Sequence, residues 1–227
     1  MTLPREVAVM TLPNATLFPQ ALLPLYIFEP RYRRMLADAL EEHRVFCVAM
    51  QRPGCTREAP AAVAGVGLIR VSVEHRDGTS HLILQGLARA QLLETLRYRP
   101  YRVHRIRVLA PPPGNERAVG LLVASVRELM AERVALGLPF PCPVVPGSGG
   151  GVTDKPVAPP SVAKEILRYM DDLKNPEHLV DLVSCAVLQG AEERQTIMAT
   201  VDVEARLRCL ARFLSADLRR RRKEAQR

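Results

Sequence analysis

The chain has 227 residues, of which 48% are hydrophobic and 25% charged, a balance that describes a soluble globular protein long enough to bury a real core. No run approaches the roughly 18 consecutive apolar residues of a membrane span, and the N-terminus lacks the charged leader and apolar core of a signal peptide, so no membrane partner and a cytoplasmic location are expected. The net charge is +8, but six positive residues and one Glu between Arg219 and Arg227 supply five of those charges, which leaves a mildly basic body.

From Glu6 to Leu109 the chain reads as mostly β. VAVMTL, ALLPLYI, VFCVAM (Val45–Met50), VAGVGLIRVSVEH, SHLILQG, ARAQLLETL and YRVHRIRVL form short apolar runs separated by turn residues. One helix interrupts them. Leu23, Leu25 and Ile27 alternate with Pro24 and Tyr26, whereas Tyr32, Met35, Leu36, Ala39 and Leu40 recur at helical spacing. The period switches at Glu29 and Pro30: proline fits the first helical position, and a carboxylate suits a helix N-terminus. Asp77 and Gly78 sit where a tight hairpin turn requires positive φ. In the last run Tyr101, Val103, Arg105 and Arg107 alternate with Arg102, His104, Ile106 and Val108, so polar groups fall on both faces near its start, which suggests an edge strand.

Pro111, Pro112, Pro113 and Gly114 form a stiff break that places a domain boundary there. A β subdomain is expected over residues 1–110 and a helical bundle over 115–227. In the bundle, Arg117–Leu136 presents Leu121, Leu122, Ser125, Leu129 and Leu136 near one face, and Gly137 ends the helix. Seven prolines and four glycines between Pro139 and Pro160 predict a mobile loop at about 137–160. Ser161, Asn175 and Asp202 are candidate helix caps, and Val203, Leu207, Leu210, Ala211, Leu214 and Leu218 form a stripe with the 3.6-residue period of a packed helix. The basic tail reads as a disordered, solvated run.

The stretch LLPLYIFEPRYRRML (Leu22–Leu36), with LPNATLFP (Leu12–Pro19) before it, resembles the opening of the Lon substrate-binding domain, the amino-terminal module of an ATP-dependent protease. VGLIRV (Val66–Val71), the Asp77–Gly78 turn, LILQGLARAQL (Leu82–Leu92) and the closing run His178–Leu214 match later parts of that family in order, so the resemblance covers nearly the whole chain apart from about Gly137–Pro160. It implies an α+β protein: an N-terminal PUA-like small β-barrel with one helix, followed by a C-terminal helical bundle. It further implies polypeptide recognition in a stand-alone form of the domain, through an apolar groove between barrel and bundle.

Catalytic and metal signatures are missing. No glycine is followed by lysine, so a phosphate-cradling loop is not expected, and the chain ends where the resemblance places the end of the substrate-binding region, leaving no length for a peptidase module. No enzyme activity, cofactor or metal is expected. His75 and His81 flank the hairpin beside Glu74, but one hairpin rarely completes a coordination shell. Cys47, Cys55, Cys142, Cys185 and Cys209 are odd in number and irregularly spaced, which argues for reduced thiols, with Cys185 and Cys209 as small core residues.

Two surfaces are candidates for binding. Phe28 and Tyr32, edged by Glu29, Arg31 and Arg33, either pack and cap the strand-to-helix corner or offer an apolar anchor to unfolded or flexible polypeptides, and such clients would pass to a separate ATP-dependent protease. The alternative is RNA: Arg97, Arg99, Arg102, Arg105 and Arg107 interleave with Tyr98 and Tyr101, the residue types of a phosphate-contacting, base-stacking surface.

Overall fold

A computed structural model describes residues 2–55, 58–138 and 160–225. They form six strands and six helices, divided between two compact units, Met1–Ala110 and Pro111–Arg227.

The first unit contains all six strands: β1 (Glu6–Leu12), β2 (Leu22–Ile27), β3 (Val45–Met50), β4 (Val63–Glu74), β5 (Ser80–Arg97) and β6 (Arg102–Leu109), with helix α1 (Pro30–Glu41) between β2 and β3. Their order in the sheet is β2-β5-β4-β3-β1-β6, and β6 also pairs with β5, so five strands form a closed ring of pairings with β2 attached outside it. β1 and β3 run parallel and the other pairs antiparallel. The expected edge position of the arginine-rich strand is therefore corrected, because β6 is bonded to β1 on one side and to β5 on the other. Arg105 and Arg107 mark an outward face, not an edge. SHLILQG and ARAQLLETL likewise merge into the single 18-residue β5.

All six residues of VFCVAM are buried, as suits a strand held between β1 and β4. Cys47 lies within it, and burial pushes its thiol up to about 12. α1 contributes Tyr32, Met35, Leu36 and Ala39 to the same core, with Pro30 in its first turn. Leu17 and Phe18, in the segment before β2, are 1% and 0% exposed. They approach the sheet so closely that a Cβ on Gly65 or Gly86 would lie 2.0 Å from the Leu17 or Phe18 carbonyl oxygen.

The β4–β5 hairpin uses a three-residue loop in which only Gly78 has positive φ (+76°), so the two-residue turn expected from Asp77 and Gly78 is corrected. Gly78 N–H donates to the His75 carbonyl, and His75 N–H to that of Thr79, while the Asp77 carboxylate accepts from the Thr79 backbone N–H at 2.9 Å. This is a type I turn followed by a left-handed glycine.

The second unit comprises α2 (Glu116–Ala135), α3 (Pro160–Asp172), α4 (Pro176–Val187), α5 (Ala191–Ala199) and α6 (Val203–Ala225). Asn175 and Asp202 cap α4 and α6, accepting from Glu177 N–H at 2.8 Å and Ala205 N–H at 2.7 Å. Ser161 falls within the bounds of α3. Gly137 ends α2 at φ +63°, with Leu138 N–H reaching the Arg133 carbonyl and Gly137 N–H that of Val134. Leu207, Leu210, Leu214 and Leu218 of α6 are buried as the stripe predicts. The face of α2 is different: Val119, Val126, Met130 and Arg133 are buried, while Leu121 and Leu136 are exposed.

Ion pairs accompany these contacts. Buried Arg206 bonds Asp181 at 3.2 Å and Glu177 at 3.0 Å, and buried Arg133 pairs with Asp217. The basic tail is helical as far as Ala225, with Arg222 paired to Glu132 and Arg220 to Asp217, which corrects the expected disordered run. Cys185 is exposed and Cys209 half-buried, so neither is a core residue. The proposed loop at 137–160 and Cys142 fall largely or wholly outside the described residues.

Candidate functional site

β2 lies at the open end of the sheet and pairs only with β5 among the described residues. The register places Pro24 opposite Ile83 and Ile83 opposite Val71, and Tyr26 opposite His81 and His81 opposite Val73. Residues directly paired across a sheet share a face, so these two rows cross three strands on the side away from the core. Leu22, Tyr26, Val71, Val73 and Ile83 are all exposed on β2, β4 and β5. Phe28, just past β2, is 59% exposed and stacks on Tyr26 with ring centroids 5.8 Å apart. Tyr26 in turn lies 4.7 Å from the His81 ring, and His81 Nδ1 is 2.6 Å from His75 Nε2. The result is an open apolar face ending in an aromatic ladder.

A β-bulge builds this face. Between Ile69 and Val71 the register shifts, two steps along β4 matching one along β5. Ile69 is 1% exposed, whereas Val71 and Val73 are 48% and 53% exposed. Strict alternation would place all three on one side. The extra residue, Arg70, turns the end of the strand over and delivers two valines to the outer surface. Sequence reading missed Val71, Val73 and Ile83; nothing local distinguishes a bulged strand from a regular one here.

The five candidate anchor residues separate. Tyr32 is buried, its hydroxyl accepting from Thr11 N–H at 3.2 Å and donating to Glu58 at 2.8 Å. Burial, then the Glu58 carboxylate, raises its pKa well above the usual phenol range. Arg31 stacks over Tyr32 and pairs with Glu29 at 2.8 Å and Glu58 at 2.5 Å. The Arg33 guanidinium sits against Gly78 of the hairpin, where a Cβ would strike it. Phe28 alone of the five belongs to the exposed apolar face.

The arginine run is mostly occupied within the unit. Arg105 pairs with Glu94 at 3.0 Å and Glu6 at 3.4 Å, Arg107 donates to Gln91 at 2.6 Å, and Arg97 lies 4.6 Å over the Tyr101 ring. Arg102 stacks on Tyr98 at 5.3 Å and donates to the Glu58 carbonyl. Arg99 has no such partner among the described residues. The His75–His81 pair gains no third ligand: no cluster of three His, Cys, Asp or Glu residues able to hold a metal lies among the described residues. Nor is any described helix long and apolar enough to cross a membrane.

The ATP-dependent protease La (LON) substrate-binding domain matches this chain over residues 6–216. The chain belongs to that family. It is 22% identical over 219 residues to a Lon protease of Dictyoglomus thermophilum and 24% identical over 218 residues to Lon protease 2 of Myxococcus xanthus. These alignments take in 95% and 94% of this chain but 25% and 24% of the relatives, so the chain spans about a quarter of their length. Among solved structures, the N-terminal domain of the Mycobacterium avium complex Lon protease superposes with a TM-score of 0.68 at 19% identity, covering 92% of this chain and 98% of that one. A Lon N-terminal domain protein from Xanthomonas campestris gives 0.59 at 18% identity, covering 90% and 96%. The Lon substrate-binding fold is thus shared over nearly the whole chain, and the family match falls on the substrate-binding region of Lon.

Proposed function

We propose that this chain is a non-catalytic polypeptide-binding protein that recognises unfolded or flexible segments and passes them to an ATP-dependent protease. The observation that carries this reading is the exposed face of Leu22, Tyr26, Phe28, Val71, Val73 and Ile83 beside the open β2 edge. Contiguous apolar surface of this kind is rare on a soluble protein without a partner. Side-chain contacts on a flat face make weak sequence demands, which suits unfolded clients. Membership in the Lon substrate-binding family supplies the occupant. The ring of five strands, read as a small PUA-like barrel, then serves as the rigid platform that presents the face to clients in the cytoplasm.

Fluorescence anisotropy with labelled, reduced and carboxymethylated α-lactalbumin tests the reading. Binding of the unfolded form, absence of binding to the native form, and less than about threefold change in affinity between 50 and 500 mM salt are expected, because apolar contacts release few counterions. Binding confined to nucleic acid and lost at high salt would refute it.

A further inference from the structure

The same unit carries a pocket outside the exposed rows of β2, β4 and β5. Arg31 and Tyr32 of α1, Glu58, and the turn from Tyr98 to Arg102 enclose a pocket of about 210 Å³ backed by Val9. This is smaller than the roughly 300–1,000 Å³ of pockets that enclose a whole drug-sized ligand, and it suits one residue of a chain. Three arginines, Arg31, Arg99 and Arg102, are among its lining residues, with one acidic residue, Glu58. Both Glu58 oxygens are already engaged, one by the Tyr32 hydroxyl and the other by Arg31, which Glu29 also holds. Counting Glu29 with the group leaves one positive charge in excess. Arg31 takes both carboxylates, and among the described residues neither Arg99 nor Arg102 pairs with one: Arg102 stacks on Tyr98 and donates to the Glu58 carbonyl.

We infer that this pocket captures the C-terminal carboxylate of a bound polypeptide. A guanidinium presents two parallel N–H groups that match a carboxylate, and charge-assisted bonds of this type are the strong ones. Capture of a chain terminus is an established way of recognising peptides. Tyr98, 65% exposed at the rim, would flank the terminal side chain. A single excess charge matches a monoanion. A nucleic-acid strand would need a continuous stripe of free arginines, yet Arg97, Arg105 and Arg107 are held by Tyr101, Glu6, Glu94 and Gln91. The inference rests on the polypeptide-binding reading and adds a chain-end preference to it.

The test uses the full chain and two fluorescein-labelled decapeptides of one unstructured sequence ending in two leucines, one with a free carboxylate and one amidated. The free acid should bind roughly tenfold or more tightly than the amide. Arg99→Ala should bring the acid down to the level of the amide without changing the amide, at an unchanged melting temperature, and Arg99→Lys should recover part of the difference. Phe28→Ala should weaken both peptides alike. Equal binding of acid and amide to the parent chain would overturn the pocket inference while leaving polypeptide binding intact, and binding of neither peptide would remove both. Displacement of the acid by a uridine 12-mer, itself dependent on Arg99, would overturn it in favour of nucleic acid.

Discussion

Phe28→Ala removes the most exposed aromatic of the apolar face, and its effect on binding can be bounded from the structure. The side chain is 59% exposed, and an aromatic side chain buries on the order of 200 Å², so about 120 Å² remains for a partner. Complete burial at ~25 cal/mol per Å² would contribute at most ~3 kcal/mol. Partial coverage and the ordering of a flexible client reduce that, so the expected loss is about 1–2 kcal/mol, or roughly 5- to 30-fold weaker binding. Folding should hardly respond, since Phe28 is more than half exposed and stacks on the exposed Tyr26, and exposed substitutions usually change stability by less than about 0.5 kcal/mol. Anisotropy with unfolded α-lactalbumin gives the first quantity and calorimetric melting the second. Unchanged affinity for Phe28→Ala, and again for a combined Tyr26→Ser, Phe28→Ser, Val73→Ser variant that melts like the parent, would refute the assignment of this face.

Gly65→Ala should destabilise the first unit by about 1–3 kcal/mol or more, because the new methyl meets the Leu17 backbone, whereas Gly120→Ala within α2, with nothing within 4 Å, should stabilise by about 0.5–1 kcal/mol; denaturant midpoints that moved together would contradict this. Leu210→Asp should unfold the bundle, since Leu210 is 0% exposed and a buried unpaired carboxylate is costly; helical circular dichroism and a melt matching the parent would defeat the core assignment of that stripe. His104 is 5% exposed, and burial, then the Arg102 charge, lowers its pKa. Its neutral form is favoured in the fold, so its contribution is complete above the unfolded value near 6.5 and is lost as pH falls below it, by at most about 1.4 kcal/mol per pH unit. Denaturation at pH 7.5 and 5.0 should show a smaller acid loss for His104→Leu than for the parent, and equal losses would refute it.

Local chemistry was legible and long-range pairing was not. Pro30, Asn175, Asp202 and Gly137 mark helix ends because each satisfies or removes a backbone group within a few residues. The position of β6 escaped because in a closed ring every strand has an outward face, so exposed arginines carry no edge information. α2 carries apolar residues around much of its circumference, Val119, Leu121, Leu122, Val123, Val126, Leu129 and Met130, so periodicity alone could not choose the buried side; packing along α6 did. At the candidate site, residue type alone left Tyr32 open both to an anchor role and to packing in the strand-to-helix corner, because its bonds are to Thr11 and Glu58, 21 and 26 residues away.

An open apolar face beside an open strand edge is an aggregation hazard unless the edge is blunted. Pro24, in the middle of β2, offers no N–H, and the Arg70 bulge breaks the regular run of β4. Arg33, Arg76 and Asp77 place charge at the hairpin end of the face. A second copy of the chain would therefore find a poor template for continuous backbone pairing, while isolated apolar side chains of a flexible client could still dock on Tyr26, Phe28 and the valines. A surface of that kind needs side-chain size and exposure, not particular residues at fixed spacing. Recognition built this way leaves no motif in the sequence, and the bulge and the strand register that create it emerge only when the chain folds.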